Sequence, residues 1–207
     1  MGVFKLTEEY YYTEEELARI FQYLKNNFPE EYYFFKVLFL TGRRVAEILG
    51  GRYKMDGMCL RDINFEGNFI NFQIGKKFRK DGERIRENIK VSKEVIDLIK
   101  EYCEKYRVTD PKEKVFRHTR SWYYKILKKT LNALGIKKKR ILHGFRHSFG
   151  IFGVKEGTTT EDLLRLQKLM AHSNIQTTIE YAKIKEMGEQ ELAEKISKRL
   201  KEIHSSI

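Results

Sequence analysis

The sequence predicts a mainly helical α+β domain with one small antiparallel sheet. Three observations predict it. Apolar residues recur at helical spacing over most of the chain. Period-two alternation is confined to one stretch, 69–89. Capping residues and glycine stops bracket the helical segments. A chain of 207 residues can bury roughly 70% of its unfolded surface, so it needs no disulfide or metal to hold a core.

The elements follow in order. Thr13-Glu14-Glu15-Glu16 reads as a capping box, and Leu17, Ile20, Phe21 and Leu24 continue it as a helix. Pro29 suits the first turn of a second helix through Leu40, which Thr41-Gly42 ends. A short helix is expected from Arg43 to Leu49, with Gly50-Gly51 as its stop. Phe69 to Ile74 and Arg84 to Ile89 alternate as strands around Asp81-Gly82, in a loop carrying Lys76, Lys77, Arg79 and Lys80. Ser92 can cap a helix from Lys93 to Tyr106, and Ser121 another to Leu134, which Gly135 ends. His143 to Val154 reads as helical, and Thr158-Thr159-Thr160-Glu161 opens a helix through Met170. Ile175 to Ile184 and an amphipathic tail from Glu186 to Ile203 complete the helices. Trp122, beside Tyr123 and Tyr124, is expected to pack in the core, with stacking on a base as the alternative, and the tyrosines at 10–12 and 32–33 to pack beside helices. The expected organisation is one domain over 1–207, with a lead-in at 1–12, a core at 13–184 and a tail helix at 185–207.

Composition excludes several classes. A 41% apolar and 34% charged chain is neither disordered nor collagen-like. No apolar run reaches the length of a membrane span, and no signal peptide is expected at Met1–Thr7. Cys59 and Cys103 have no metal-ligand spacing, so no metal site is expected and a reducing intracellular setting is the default. The informative quantity is charge: 41 Lys+Arg against 29 Asp+Glu, a net of +12. The excess is segregated. The first forty residues are acidic, whereas Gly75–Lys93 and Asp110–Arg140 are strongly basic, the latter closing on Lys137-Lys138-Lys139-Arg140. A one-sided basic surface fits a polyanion, nucleic acid before membrane. A solvated basic turn is the alternative for the tetrad alone.

Short motifs here are individually weak. Their order is not: Thr41-Gly42-Arg43-Arg44-Val45-Ala46-Glu47, a lysine-bearing hairpin, His143-Gly144-Phe145-Arg146-His147, then Met170-Ala171-His172-Ser173-Asn174-Ile175-Gln176-Thr177-Thr178-Ile179-Glu180-Tyr181. In this order the sequence resembles the catalytic domains of tyrosine recombinases, the phage-type integrases, over about Leu6 to Ile184. The resemblance implies a helical catalytic domain with a small three-stranded antiparallel sheet. It implies cutting and rejoining of DNA strands through a covalent 3′-phosphotyrosine, without metal, nucleotide or other cofactor. It implies double-stranded DNA attachment sites as partner, bound by four copies, with a monomer in solution allowed. The implied setting is DNA recombination and integration by a virus, plasmid or other mobile element, in the cytoplasm of a prokaryote. Lys, Glu, Ile and Tyr content with few Gln points to a thermophilic, archaeal host.

The residue types suit that chemistry. Two guanidiniums, Arg44 and Arg146, offer fixed charge and bidentate donors to phosphate oxygens. The Tyr181 phenol can attack phosphorus and hold the chain end covalently. Lys76 can protonate the leaving 5′-oxygen, since Gly75-Lys76 matches the family's Gly-Lys; Lys77 and Lys80 are alternatives. His143 and His172 can donate to the phosphate or accept the tyrosine proton. Glu47 is either an ordinary i,i+3 partner of Arg44 or the carboxylate that orients it. His147 is either a core hydrogen-bond group or a supporting site residue. Lys77, Arg79, Lys80, Lys137, Lys138, Lys139 and Arg140 are candidate DNA contacts.

Departures are equally specific. Arg43 stands where the family usually has Leu or Met, and Ala171 where it has Gly. The usual N-terminal core-binding domain is expected to be absent, because Thr41-Gly42 comes so early. The chain is then either a catalytic fragment or a minimal protein. The rival readings are a type IB topoisomerase and a non-catalytic basic DNA-binding module.

Overall fold

The structure, a computed structural model, describes residues 7–51, 55–78, 82–156 and 159–172, together with 175, 178, 179 and 181. For 76–78 and 155–156 it describes the backbone alone. Helices dominate: α1 (Glu14–Asn27), α2 (Pro29–Thr41), α3 (Val45–Leu49), α4 (Lys93–Tyr106), α5 (Arg120–Ala133), α6 (Ile141–Glu156) and α7 (Thr160–Met170). Between α3 and α4 lies an antiparallel sheet in the order β1 (Ile63–Asn64), β2 (Phe69–Phe78), β3 (Arg84–Lys90). Ile63 pairs with Ile70, and Ile70 with Ile89. Ile70, Phe72 and Ile74 point to the buried face, as the period-two pattern requires.

α2 is the central helix. Tyr33, Phe34, Phe35, Val37 and Leu38 are all buried, so its buried face is much wider than a single amphipathic stripe, with Lys36 on the partly exposed side. It packs against α1, α4 and α6. The Phe34 and Tyr123 rings stack 3.8 Å apart, and Phe35, Tyr102 and Phe116 close around them. The lead-in joins this core. Tyr12 is fully buried; its amide donates to Ser148 Oγ at 2.7 Å, and Ser148 Oγ donates back to the Tyr12 carbonyl at 2.9 Å. The Tyr12 hydroxyl donates to the Ile141 carbonyl at 2.8 Å.

Sequence-level chemistry explains most boundaries. Thr13 and Glu16 form the expected capping box, and Gly42 ends α2 in the left-handed region at φ 59°. Ser92 caps α4. Four expectations shift. α3 starts at Val45 rather than Arg43, because Arg44 is extended and serves as its N-cap. α5 is capped by Thr119, not Ser121: Thr119 Oγ1 accepts from the Trp122 amide at 3.3 Å, which puts Ser121 inside the first turn. β2 runs on to Phe78, so Lys76 and Lys77 lie on a strand rather than in the loop. Trp122 is 43% exposed, not in the core; its Nε1 donates to Glu31 and its ring stacks on His118. The helix expected at 175–184 is seen at 178, 179 and 181, and the tail helix lies outside the described residues. Among the described residues, no helix is long and apolar enough to cross a membrane.

Candidate active site

Glu47 organises one side of the site. Its carboxylate is buried on α3. Oε2 accepts from the Arg44 amide at 3.0 Å, and Oε1 from Arg44 Nη1 at 2.9 Å. Oε1 also accepts from the Gly75 amide at 3.1 Å. One carboxylate thus caps α3, aims a guanidinium and grips β2 at the residue before Lys76. The Gly75 carbonyl is taken by Arg84 Nη1 at 2.8 Å, within the stretch where the β2–β3 register shifts. Burial opposes ionisation of Glu47. Arg43, Arg44 and Arg146 more than offset it and hold the carboxyl below the usual carboxylate range.

Arg146 lies on α6 and is 4% exposed. Nη1 donates to the Gly42 carbonyl at 2.6 Å and Nη2 to the Met170 carbonyl at 2.8 Å. It therefore clasps the end of α2 to the end of α7. Burial, then the Arg44 and Arg43 charges, pull it down to about 9, so it stays cationic at neutral pH.

Three histidines line the other side. His143 and His147 share a face of α6, their ring centres 5.8 Å apart. Burial first, then neighbouring cationic and imidazole groups, push His143 and His147 down to about 4 and His172 to about 3. All three are neutral at pH 7. His172 Nδ1 lies 2.9 Å from Thr178 Oγ1, and its ring is nearly parallel to that of Tyr181, 14° between planes.

Tyr181 is 5% exposed, with its hydroxyl 3.1 Å from His147 Nδ1. Burial raises its pKa, and Arg146 and Arg44 pull it part of the way back. Its ring lies on α6 at Gly150, where a Cβ would stand 2.8 Å from two ring carbons. A glycine inside a helix costs about 1 kcal/mol relative to alanine, and here the close approach of the ring explains it.

The fold thus brings together Arg44, Glu47, His143, Arg146, His147, His172 and Tyr181, from α3, α6 and the segment after α7. The Lys76 backbone joins them through Gly75. Sequence reasoning placed the tyrosine's proton acceptor at His143 or His172; His147 is the imidazole at the hydroxyl. It also missed Thr178 as the His172 partner and Gly150 as the ring's platform. Thr178 carries no signal beyond its place in the quoted motif, and Gly150 lies outside the quoted motifs.

The basic residues part company. Arg79 and Lys80 lie outside the described residues, as does the Lys77 side chain. Lys137 and Arg140 are exposed on the turn before α6. Lys138 and Lys139 correct the picture of a free tetrad. Lys138 Nζ is 2.7 Å from Glu16 Oε2 and donates to the Glu8 carbonyl at 2.9 Å, while Lys139 pairs with Glu9 at 2.6 Å. The acidic lead-in packs on the basic turn and engages Lys138 and Lys139.

The phage integrase family pattern matches residues 11–187, a span that holds this whole constellation. The chain belongs to the phage integrase family. Within that family it is similar to tyrosine recombinase XerD of Listeria innocua, 32% identical over 160 residues, covering 72% of this chain and 48% of the relative. The XerA recombinase crystal structure superimposes with a TM-score of 0.65 at 21% identity, over 87% of this chain and 64% of that one. A XerH site-specific recombinase bound to its difH substrate matches with a TM-score of 0.61 at 18% identity, over 84% of this chain and 50% of that one. The shared architecture is that of the family's helical fold. The chain spans about half the length of the sequence relatives it matches.

Proposed function

We propose that this chain is the catalytic domain of a site-specific DNA recombinase or integrase that breaks and rejoins strands through a 3′-phosphotyrosine. The observation that carries the reading is the Tyr181 hydroxyl at hydrogen-bond distance from a neutral His147, in a pocket where Arg44 and Arg146 supply the positive charge. A buried phenol is a poor nucleophile until its proton leaves. With Nε2 carrying the imidazole proton, His147 Nδ1 can take it as the Tyr181 oxygen bonds to phosphorus. Arg44 and Arg146 stabilise charge on the non-bridging oxygens. The P–O5′ bond breaks, and Lys76 gives the leaving oxygen its proton. His143 and His172 line the phosphate as neutral donors. Products are a tyrosine-linked 3′-phosphate and a free 5′-hydroxyl. Attack by that hydroxyl on the phosphotyrosine reverses every transfer and religates the strand.

Duplex attachment sites bound by four copies are the proposed partner and assembly. The proposed setting is the DNA of a prokaryotic, archaeal cell, on composition alone. Exposed Lys137 and Arg140, with the hairpin cations, are the proposed backbone contacts. Their binding weakens as salt rises, because each neutralised phosphate releases counterions.

The test is a nicked duplex incubated with protein and resolved under denaturing conditions. A DNA-linked protein band is expected for wild type and none for Tyr181→Phe. A band of equal strength in both removes Tyr181 as nucleophile. Ready relaxation of an arbitrary supercoiled plasmid would favour a topoisomerase.

A further inference from the structure

Two buried guanidiniums, not one, hold the C-terminal end of α7. Arg146 donates to the Met170 carbonyl, and Arg43 Nη2 donates to the Leu169 carbonyl one residue earlier. Arg43 is fully buried and so touches no DNA. Its Nε lies 3.8 Å from Glu47 Oε2, and its guanidinium carbon 5.6 Å from the Phe72 ring centre. Among the described residues, Nε and Nη1 make no hydrogen bond. A buried cation so sparsely bonded is a poor stabilising device; an apolar side chain of similar volume usually does as well or better. Leu or Met at this place, as in the family this sequence resembles, would fill the space without that cost. What Arg43 supplies and they do not is a charged donor to Leu169.

We propose that Arg43 is a positioning residue, which grips the Leu169 carbonyl from inside the Arg44–Glu47 cluster and so fixes the α7 end, with His172 and Tyr181 beyond it, against the phosphate-binding guanidiniums. The proposal rests on the strand-transfer reading above. The connections are short. Arg43 and Arg44 are consecutive, so movement of one drags the other. Beyond Leu169 the chain turns at once: Ala171 is left-handed at φ 46°, and the His172 amide donates to the Gln167 carbonyl at 3.0 Å. A carbonyl held at Leu169 therefore sets where the His172 ring lies. The charged or titratable groups facing that ring are Arg146, Arg44, Arg43, His147 and the stacked Tyr181 phenol.

The test compares wild type, Arg43→Met and Arg43→Lys in two assays. The first is single-turnover formation of the covalent adduct on a pool of nicked duplexes with randomised arms, at varied DNA concentration. The second, without DNA, is an NMR titration of the His172 ring. For Arg43→Met the adduct rate at saturating DNA falls by about 10- to 100-fold, the range that small misplacements of reacting groups produce. The half-saturating DNA concentration stays at the wild-type value, and the His172 midpoint rises. Arg43→Lys, with a charge and a donor, recovers much of the rate. A folded Arg43→Met with wild-type rate and wild-type His172 titration overturns the proposal. So does a change in half-saturation without a change in rate. If Arg43→Met does not fold, Arg43→Gln, which lacks the charge and the reach, decides: a several-fold slower rate at unchanged half-saturation supports positioning, and a wild-type rate overturns it. If wild type itself forms no adduct, the strand-transfer reading fails. The His172 titration still judges Arg43, and an unmoved midpoint rejects it.

Discussion

The molecule has two cores built on different physics. Around α2, α4 and α5, Phe34, Phe35, Tyr102, Phe116 and Tyr123 interlock ring against ring. Around α3 and α6, three guanidiniums surround one buried carboxylate, and two of them, Arg43 and Arg146, reach for backbone carbonyls of other segments. The first core holds through apolar area, which is non-directional and tolerates any side chain of about the right volume. The second holds through donors aimed at particular oxygens, and loses them all at once if one partner goes. Apolar burial is concentrated in the first core, and the proposed chemistry in the second.

Substitutions can break that contrast. Phe34→Ala removes a fully buried ring and should cost about 3–5 kcal/mol. In thermal unfolding of a chain this size that is a fall of roughly 10 °C or more. The adduct rate of the protein still folded should be unchanged. Glu47→Gln keeps the shape but leaves Arg43 and Arg44 without a counter-charge; the expected loss is about 3 kcal/mol. Unlike Phe34→Ala, it should also slow adduct formation on a nicked duplex by at least tenfold. Equal effects of both variants on rate would mean the two cores are one.

A pH titration sharpens the contrast further. His143, His147 and His172 are buried neutral, with folded values of about 4, 4 and 3 against an ordinary 6.5. Between those limits the unfolded chain binds more protons than the folded one, so stability falls as pH drops. The contribution is complete above about pH 6.5 and is lost progressively toward pH 4 to 3. Melting temperature measured from pH 7.5 to 4 should decline through this window, and the decline should shrink in His147→Phe. No aromatic-core variant should alter its slope.

The smallest effect is expected at Ala171, left-handed at φ 46° without being glycine. That conformation costs an L-residue about 1–2 kcal/mol, partly offset by the extra chain entropy a glycine must lose. Ala171→Gly should therefore raise stability by about 0.5 kcal/mol, read from urea denaturation. A decrease would mean that the Ala171 methyl packs usefully at this buried position.

The same division decides what the sequence made legible. The main helices, the Thr13 capping box and the sheet announced themselves through local pattern. One local signal failed because neighbours competed: Thr119 and Ser121 are both good caps, and which amide each reaches decides the matter. In the charged core the order of motifs identified Arg44, His143, Arg146, His172 and Tyr181 as a group. It could not say that His147 meets the Tyr181 hydroxyl, nor that Arg146 binds carbonyls 104 and 24 residues away. Those contacts depend on how segments meet, and no local pattern encodes that.

The clasp between Tyr12 and Ser148 has a mechanical consequence. Its paired bonds, with the Tyr12 hydroxyl on Ile141, fasten the lead-in to the helix that carries His143, Arg146 and His147. Tension or torque applied ahead of Tyr12 enters that helix directly, within two turns of the reacting groups. A load placed there acts on His143, Arg146 and His147 together.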